Sequence, residues 1–101
     1  MNVALDAMGG DHAPRETVLG AISAAPKIEG TLFLVGDEAI LRKLLPAGSP
    51  ANIEIVHAPA CVGMDEKPTE AYRKKKDSSL MVAAEMVKDG RAHAMVSAGN
   101  T

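Results

Sequence analysis

The stretch TLFLVGD, Thr31 to Asp37, decides the fold class. Its apolar run is unbroken and ends on a β-branched residue, the pattern of a parallel strand covered on both faces. Gly36 and Asp37 then form a turn, and Asp37 is a predicted N-cap for a helix carrying Ile40, Leu41, Leu44 and Leu45. Pro46 closes that helix. Upstream, Val3-Ala4-Leu5 is a short buried strand ended by Asp6 and a glycine pair. Pro14 suits the first turn of a helix, because it lacks an N–H where none is needed. Val18, Ala21, Ile22 and Ala25 fall at i, i+3, i+4 and i+7, one stripe of an amphipathic helix that Pro26 or Gly30 stops.

Downstream, Asn52 to His57 (NIEIVH) alternates enough for a third strand, nearer a sheet edge than TLFLV. A polar, charged stretch follows, EKPTEAYRKKKDSS from Glu66 to Ser79. A helical stripe at Leu80, Ala83, Ala84 and Val87 comes next, with Gly90 as its stop, and then a strand over Ala92 to Val96. Strands alternating with helices through short connections predict a parallel sheet wrapped by helices, an α/β fold. SAGNT, Ser97 to Thr101, reads as a strand followed by a glycine turn where a parallel sheet calls for a crossover helix. The expectation is therefore that residues 1–101 are the N-terminal part of a single α/β catalytic domain. The cover for some of the apolar surface would lie elsewhere.

Bulk composition narrows the function. At 101 residues the chain holds one core. Eleven Lys and Arg against 13 Asp and Glu leave a formal charge of −2, so nothing in the overall balance draws it to nucleic acid. Hydrophobic residues are 47% and aromatics 2%, an aliphatic core palette without platforms for stacking bases. A single cysteine, Cys61, and the lack of a cationic, apolar leader point to a reducing cytoplasm. Apolar runs fall well short of the roughly 18 residues that span a bilayer. No H-x-x-x-H, paired cysteines or Asp-rich loop is present, so no metal is expected.

In an open parallel sheet, ligands bind beyond the carboxyl ends of the strands. Two loops land there: DAMGGDHAP, Asp6 to Pro14, after the first strand, and SAGNT after the last. Glycines at Gly9, Gly10 and Gly99 let backbone N–H groups approach a guest closely, and a helix N-terminus favours an anion. Asn100 and Thr101 are side-chain donors suited to phosphate oxygens, and His12 is a further donor. Each feature also has a plainer meaning. Gly9-Gly10 also reads as a plain turn, and Asp6 and Asp11 as caps of a helix or holders of loop N–H groups. His57 and His93 read as ordinary strand-end or strand-face residues, and Cys61 as a small packed residue. Arg73-Lys74-Lys75-Lys76 is either a solvated helical turn or a patch for an acidic partner, with Asp77 or Ser78 capping the next helix. The glycines do not follow G-x-G-x-x-G, and no P-loop is present. GGD is similar to the GGDGT loop of NAD and diacylglycerol kinases but departs from it at His12.

VALDAMGGDHAP, EKPTEAYRKKKDSS and RAHAMVSAGNT together, in order and spacing, resemble three successive signatures of the PlsX family, the bacterial phosphate acyltransferases of phospholipid synthesis. The likeness covers the whole chain and about the first third of a family member. It implies a three-layer αβα Rossmann-like fold with a mostly parallel sheet, similar to isopropylmalate dehydrogenases and phosphotransacetylases. It further implies transfer of a fatty acyl group from an acyl carrier protein thioester to inorganic phosphate, without a cofactor. A cytoplasmic homodimer peripheral to the membrane is the implied form, its membrane element lying beyond Thr101. Carried onto this chain, the likeness makes His12, Asp11 and Asn100 the catalytic candidates, with Asp11 orienting His12 or the loop. Gly9, Gly10, Ser97, Gly99 and Thr101 are the phosphate-binding candidates. Arg73, Lys74, Lys75 and Ser78 are candidates for carrier-protein or anion contact. The competing readings are a nucleotide-dependent kinase or dehydrogenase of related fold and a non-catalytic docking module for carrier protein or membrane surface.

Overall fold

The structure is a computed structural model that describes residues 1–59 and 78–98. Strand β1 (Val3–Asp6) leads into helix α1 (Arg15–Ala24), which ends in a 3-10 turn at Ala25–Lys27. Then come β2 (Leu32–Gly36), α2 (Glu38–Leu44), β3 (Ile53–His57), α3 (Ser79–Lys88) and β4 (Ala94–Val96). The strands form a single parallel sheet in the order β3-β2-β1-β4. All five residues of β2 are buried, as a strand covered on both faces requires. Its side chains divide by parity. Leu32 and Leu34 pack with Val18, Ala21 and Leu41 from α1 and α2, while Phe33 and Val35 pack with Ala83 and Met86 from α3. A period of two along the strand thus builds three layers, helix, sheet and helix. The architecture is that of a Rossmann-like α/β protein.

Most boundaries follow from what each backbone N–H finds. Thr31 stays outside β2 because its N–H goes to the Asn2 side-chain carbonyl at 2.9 Å. Ala92 stays outside β4 because its N–H bonds the Met86 carbonyl at 3.1 Å. That bond belongs to the end of α3, where Gly90 has φ +82° and Arg91 and Gly90 donate back to Met86 and Val87. Reversed bonds of this kind around a left-handed glycine terminate a helix. Asp37 caps α2 as expected, accepting from the Ile40 N–H at 3.3 Å. β3 lies at an edge of the sheet, also as expected.

Two helical stripes differ from the sequence reading. In α3 the buried positions are Ser79, Ala83 and Met86, so Leu80, Ala84 and Val87 flank the buried stripe rather than define it. The helix is turned by a polar contact at its start, described below. In α2 only Leu41 is fully buried, and Ile40 is 40% exposed. A helix of seven residues against an edge strand covers too little sheet to bury both. On the α1 face, a groove of about 420 Å³ runs past Val3, Leu5, Ala21, Ile28, Leu32 and Val96. Val96 is 54% exposed there.

Leu34 is completely buried and Ile40 is not. Chemical denaturation is expected to show Leu34→Ala lowering the unfolding free energy by about 3 kcal/mol, through lost burial and the cavity left behind. Ile40→Ala should cost less than about 1 kcal/mol.

Candidate functional site

The chain builds β1, β2 and β3 outward in one direction, then crosses back to lay β4 on the other side of β1. At such a reversal the loops leaving the two adjacent strands part to opposite faces, and the crevice between them is where open α/β sheets take ligands. Here the two strands are β1 and β4, joined in register from Val3↔Ala94 to Leu5↔Val96. The loops leaving them are DAMGGDHAP and the segment that begins at Ser97. The sequence expectation that these loops share one sheet edge is therefore met by the described residues.

The junction is organised by Asp6, the last residue of β1, which is 3% exposed. Its Oδ1 accepts the Met8 N–H at 3.2 Å and the Ser79 hydroxyl. Its Oδ2 accepts the Ser97 hydroxyl at 2.8 Å. One carboxylate thus holds the loop after β1, the first turn of α3 and the segment after β4. This contact turns α3 so that Ser79 points inward. Ser78, one residue earlier, caps α3 by accepting the Met81 N–H at 3.2 Å.

The loop after β1 is fixed at several further points. The Ala7 N–H bonds Val35 O at 2.9 Å, carrying the ladder one residue past β1. The Met8 side chain lies over Gly36, where an added Cβ would meet its Cγ at 2.7 Å. The Thr17 hydroxyl, from the first turn of α1, lies 2.5 Å from Ala7 O and 2.7 Å from Pro14 O. Gly10 adopts φ +103°, and a Cβ there would stand 3.4 Å from that of Ala98. A side chain at Gly10 would thus be in van der Waals contact with Ala98, so the two loops lie close together there.

Among the sequence candidates, Gly9, Gly10, Asp11, His12, Ser78 and Ser97 fall within the described residues. Gly99, Asn100, Thr101, Arg73, Lys74 and Lys75 lie outside them, as does Cys61. Asp11 and His12 are both exposed beside the glycine pair. The ion pair of the described residues is Arg42 with Glu38 at 2.6 Å, so Asp11 does not orient His12 by a contact of that kind. Ser78 is 1% exposed and serves as the cap of α3. Ser97 spends its hydroxyl hydrogen on Asp6. The plainer readings of two histidines hold: His57 Nδ1 accepts the Glu38 N–H at 3.1 Å, and His93 Nδ1 accepts the Asn2 N–H at 2.9 Å. Ser79 and Thr17 were not distinguished by the sequence reading. A serine pair before an apolar stripe signals a cap, but not which hydroxyl turns inward. No cluster of three or more His, Cys, Asp or Glu with metal-holding geometry exists among the described residues. None of their helices is long and apolar enough to cross a membrane.

Comparison with known proteins gives a consistent result. The family model described as "Fatty acid synthesis protein" matches residues 1–101. The phosphate acyltransferase of Brevibacillus brevis is 53% identical over 102 residues, covering all of this chain and 30% of that relative. The phosphate acyltransferase of Heliobacterium modesticaldum is 51% identical over 104 residues, covering 31% of its length. That of Myxococcus xanthus is 50% identical over 106 residues, covering 29%. The chain thus spans about 30% of the length of the curated relatives it matches.

Two glycines separate strain from space. Gly10→Ala forces a side chain into φ +103° and is expected to lower the unfolding free energy by about 1–2 kcal/mol. Gly20→Ala, in α1 with nothing within 4 Å of the new Cβ, should raise it by about 0.5–1 kcal/mol. Denaturant midpoints of the two variants check both signs.

Proposed function

The chain belongs to the family of fatty acid synthesis proteins, and from that membership we propose that the protein transfers a fatty acyl group from acyl carrier protein to inorganic phosphate. The product is an acyl phosphate for phospholipid synthesis. The observation that supports this reading most is the meeting of Gly10 with Ala98 where the strand order reverses. The printed names of the relatives, phosphate acyltransferases, point the same way.

The reaction asks little covalent chemistry of the protein. A phosphate oxygen attacks the thioester carbonyl carbon, the C–O bond forms, and the carbonyl oxygen takes the negative charge. That charge returns as the C–S bond breaks, and the departing thiolate collects a proton to give the free carrier thiol. A thiol of ordinary pKa about 8.5 is a good leaving group, so strong acid assistance is unnecessary. The tasks left are to hold phosphate against the carbonyl and to meet the transient oxyanion with donors.

In this scheme the Gly9 and Gly10 backbone, with Gly99, Asn100 and Thr101, holds phosphate. His12, exposed at the mouth of the loop, donates to phosphate or to the oxyanion. Ser97 fastens its segment to Asp6. The Arg73 to Lys76 run offers local positive charge to an acidic carrier protein.

Incubation of the full-length protein with an acyl carrier protein thioester should release free carrier thiol at a rate that saturates with inorganic phosphate. Release that ignores phosphate, or no release, contradicts the reading. His12→Ala is expected to lower kcat about 100-fold, as loss of a positioned donor does. Retention of the wild-type kcat would remove His12 from the chemistry.

A further inference from the structure

Asp6 is the one charged side chain buried among the described residues, and sheet packing gives no reason for it. Its register partner on the neighbouring strand is Val35, which is apolar and fully buried. Taking a carboxylate out of water costs several kcal/mol unless donors replace the water. Among the described residues no cation does so, since their ion pair lies on α2. The replacements are the Met8 N–H, the Ser79 hydroxyl and the Ser97 hydroxyl. A carboxylate accepts on both oxygens and donates on neither, so it draws all three segments toward one point.

Those segments flank the proposed phosphate site. Met8 opens the Gly9-Gly10 turn, Ser97 opens the segment that brings Ala98 over Gly10, and Ser79 fixes the pair against α3. The oxygens are divided between the loops, Oδ1 toward the loop after β1 and Oδ2 toward the segment after β4. The spacing of the loops is therefore set through the width of a single carboxylate. An apolar residue at this position would offer no acceptor and would leave the loops untied.

We propose that Asp6 is a positioning residue for the transfer reaction, one that never touches substrate. Through Met8 and Ser97 it sets the distance between the two loops that hold phosphate. The inference rests on the phosphate-transfer reading. Asp6→Asn keeps the shape but turns one acceptor into a donor, so the Ser97 hydroxyl must rotate and the loops reseat. Misplacement of binding groups by a fraction of an ångström acts on the small anion gripped between the loops more than on the large thioester.

The test is steady-state kinetics of the full-length protein, with phosphate and acyl carrier protein thioester varied separately. Calorimetric titration with inorganic phosphate alone accompanies it. Asp6→Asn and Ser97→Ala are expected to raise KM and Kd for phosphate about tenfold, while KM for the thioester moves less than about twofold. Ser97→Thr, which keeps the hydroxyl, should restore the phosphate KM to near wild type. Leu34→Ala is the control for stability, lowering the melting temperature while leaving the phosphate KM in place. If Asp6→Asn does not fold, the Ser97→Ala and Ser97→Thr pair decides the matter. Wild-type turnover that depends on phosphate, combined with variants that lose stability but keep the wild-type phosphate KM and Kd, overturns the positioning role alone. Wild type that neither binds phosphate nor responds to it overturns the phosphate-transfer reading and this inference together.

Discussion

A buried carboxylate has to be met by donors, and the end of β1 is arranged around that requirement. Asp6 sits where the central strand leaves the sheet, and the groups that meet it come from the three segments surrounding that exit. The contact orients α3, because Ser79 must face inward, and it ties the segment after β4 to the loop after β1. The inward turn of Ser79 and the tie between the segment after β4 and the loop after β1 both answer one local electrostatic demand.

The two edges of the sheet solve the same backbone problem differently. At the amino edge, neutral asparagines close the connections: Asn2 takes the Thr31 N–H, and Asn52 donates to the carbonyls of Ala25 and Gly30 at 2.7 and 3.0 Å. An amide can donate and accept at once, which suits a place where loops must only be stitched. At the carboxyl edge an acceptor-only group gathers donors beside a glycine pair. The proposed chemistry belongs at the second edge, where a guest anion needs donors held in place beforehand.

Sequence pattern made the sheet legible because a strand buried on both faces has few disguises. TLFLV is β2, and its β-α alternation with the flanking segments carries over to the parallel topology. Local capping chemistry was equally readable at Asp37, Ser78 and Gly90, since each acts within a few residues. The pattern did not reveal contacts across long separations. Asp6 meets Ser79 and Ser97 over 73 and 91 residues, and no local spacing marks such a pairing. In α3, Ala83 is buried as read, but Ser79 and Met86 rather than Leu80 and Val87 complete the buried face, because a hydroxyl rather than an apolar side chain heads it. Ile40 was read as one of the apolar residues that α2 carries, yet a short helix over an edge strand leaves it 40% exposed. The pairing of the two loops at one edge was accessible from sequence because parallel strands all point the same way.

The central claim is that an inorganic anion is held between the turn at Gly9-Gly10 and the segment that follows Val96. A crystal structure of the full-length protein grown with inorganic phosphate tests it most directly. The account predicts tetrahedral density within hydrogen-bond reach of the Gly9 or Gly10 N–H and of a group carboxyl-terminal to Ala98. Phosphate bound on any other edge of the sheet, with this crevice filled by side chains, contradicts it.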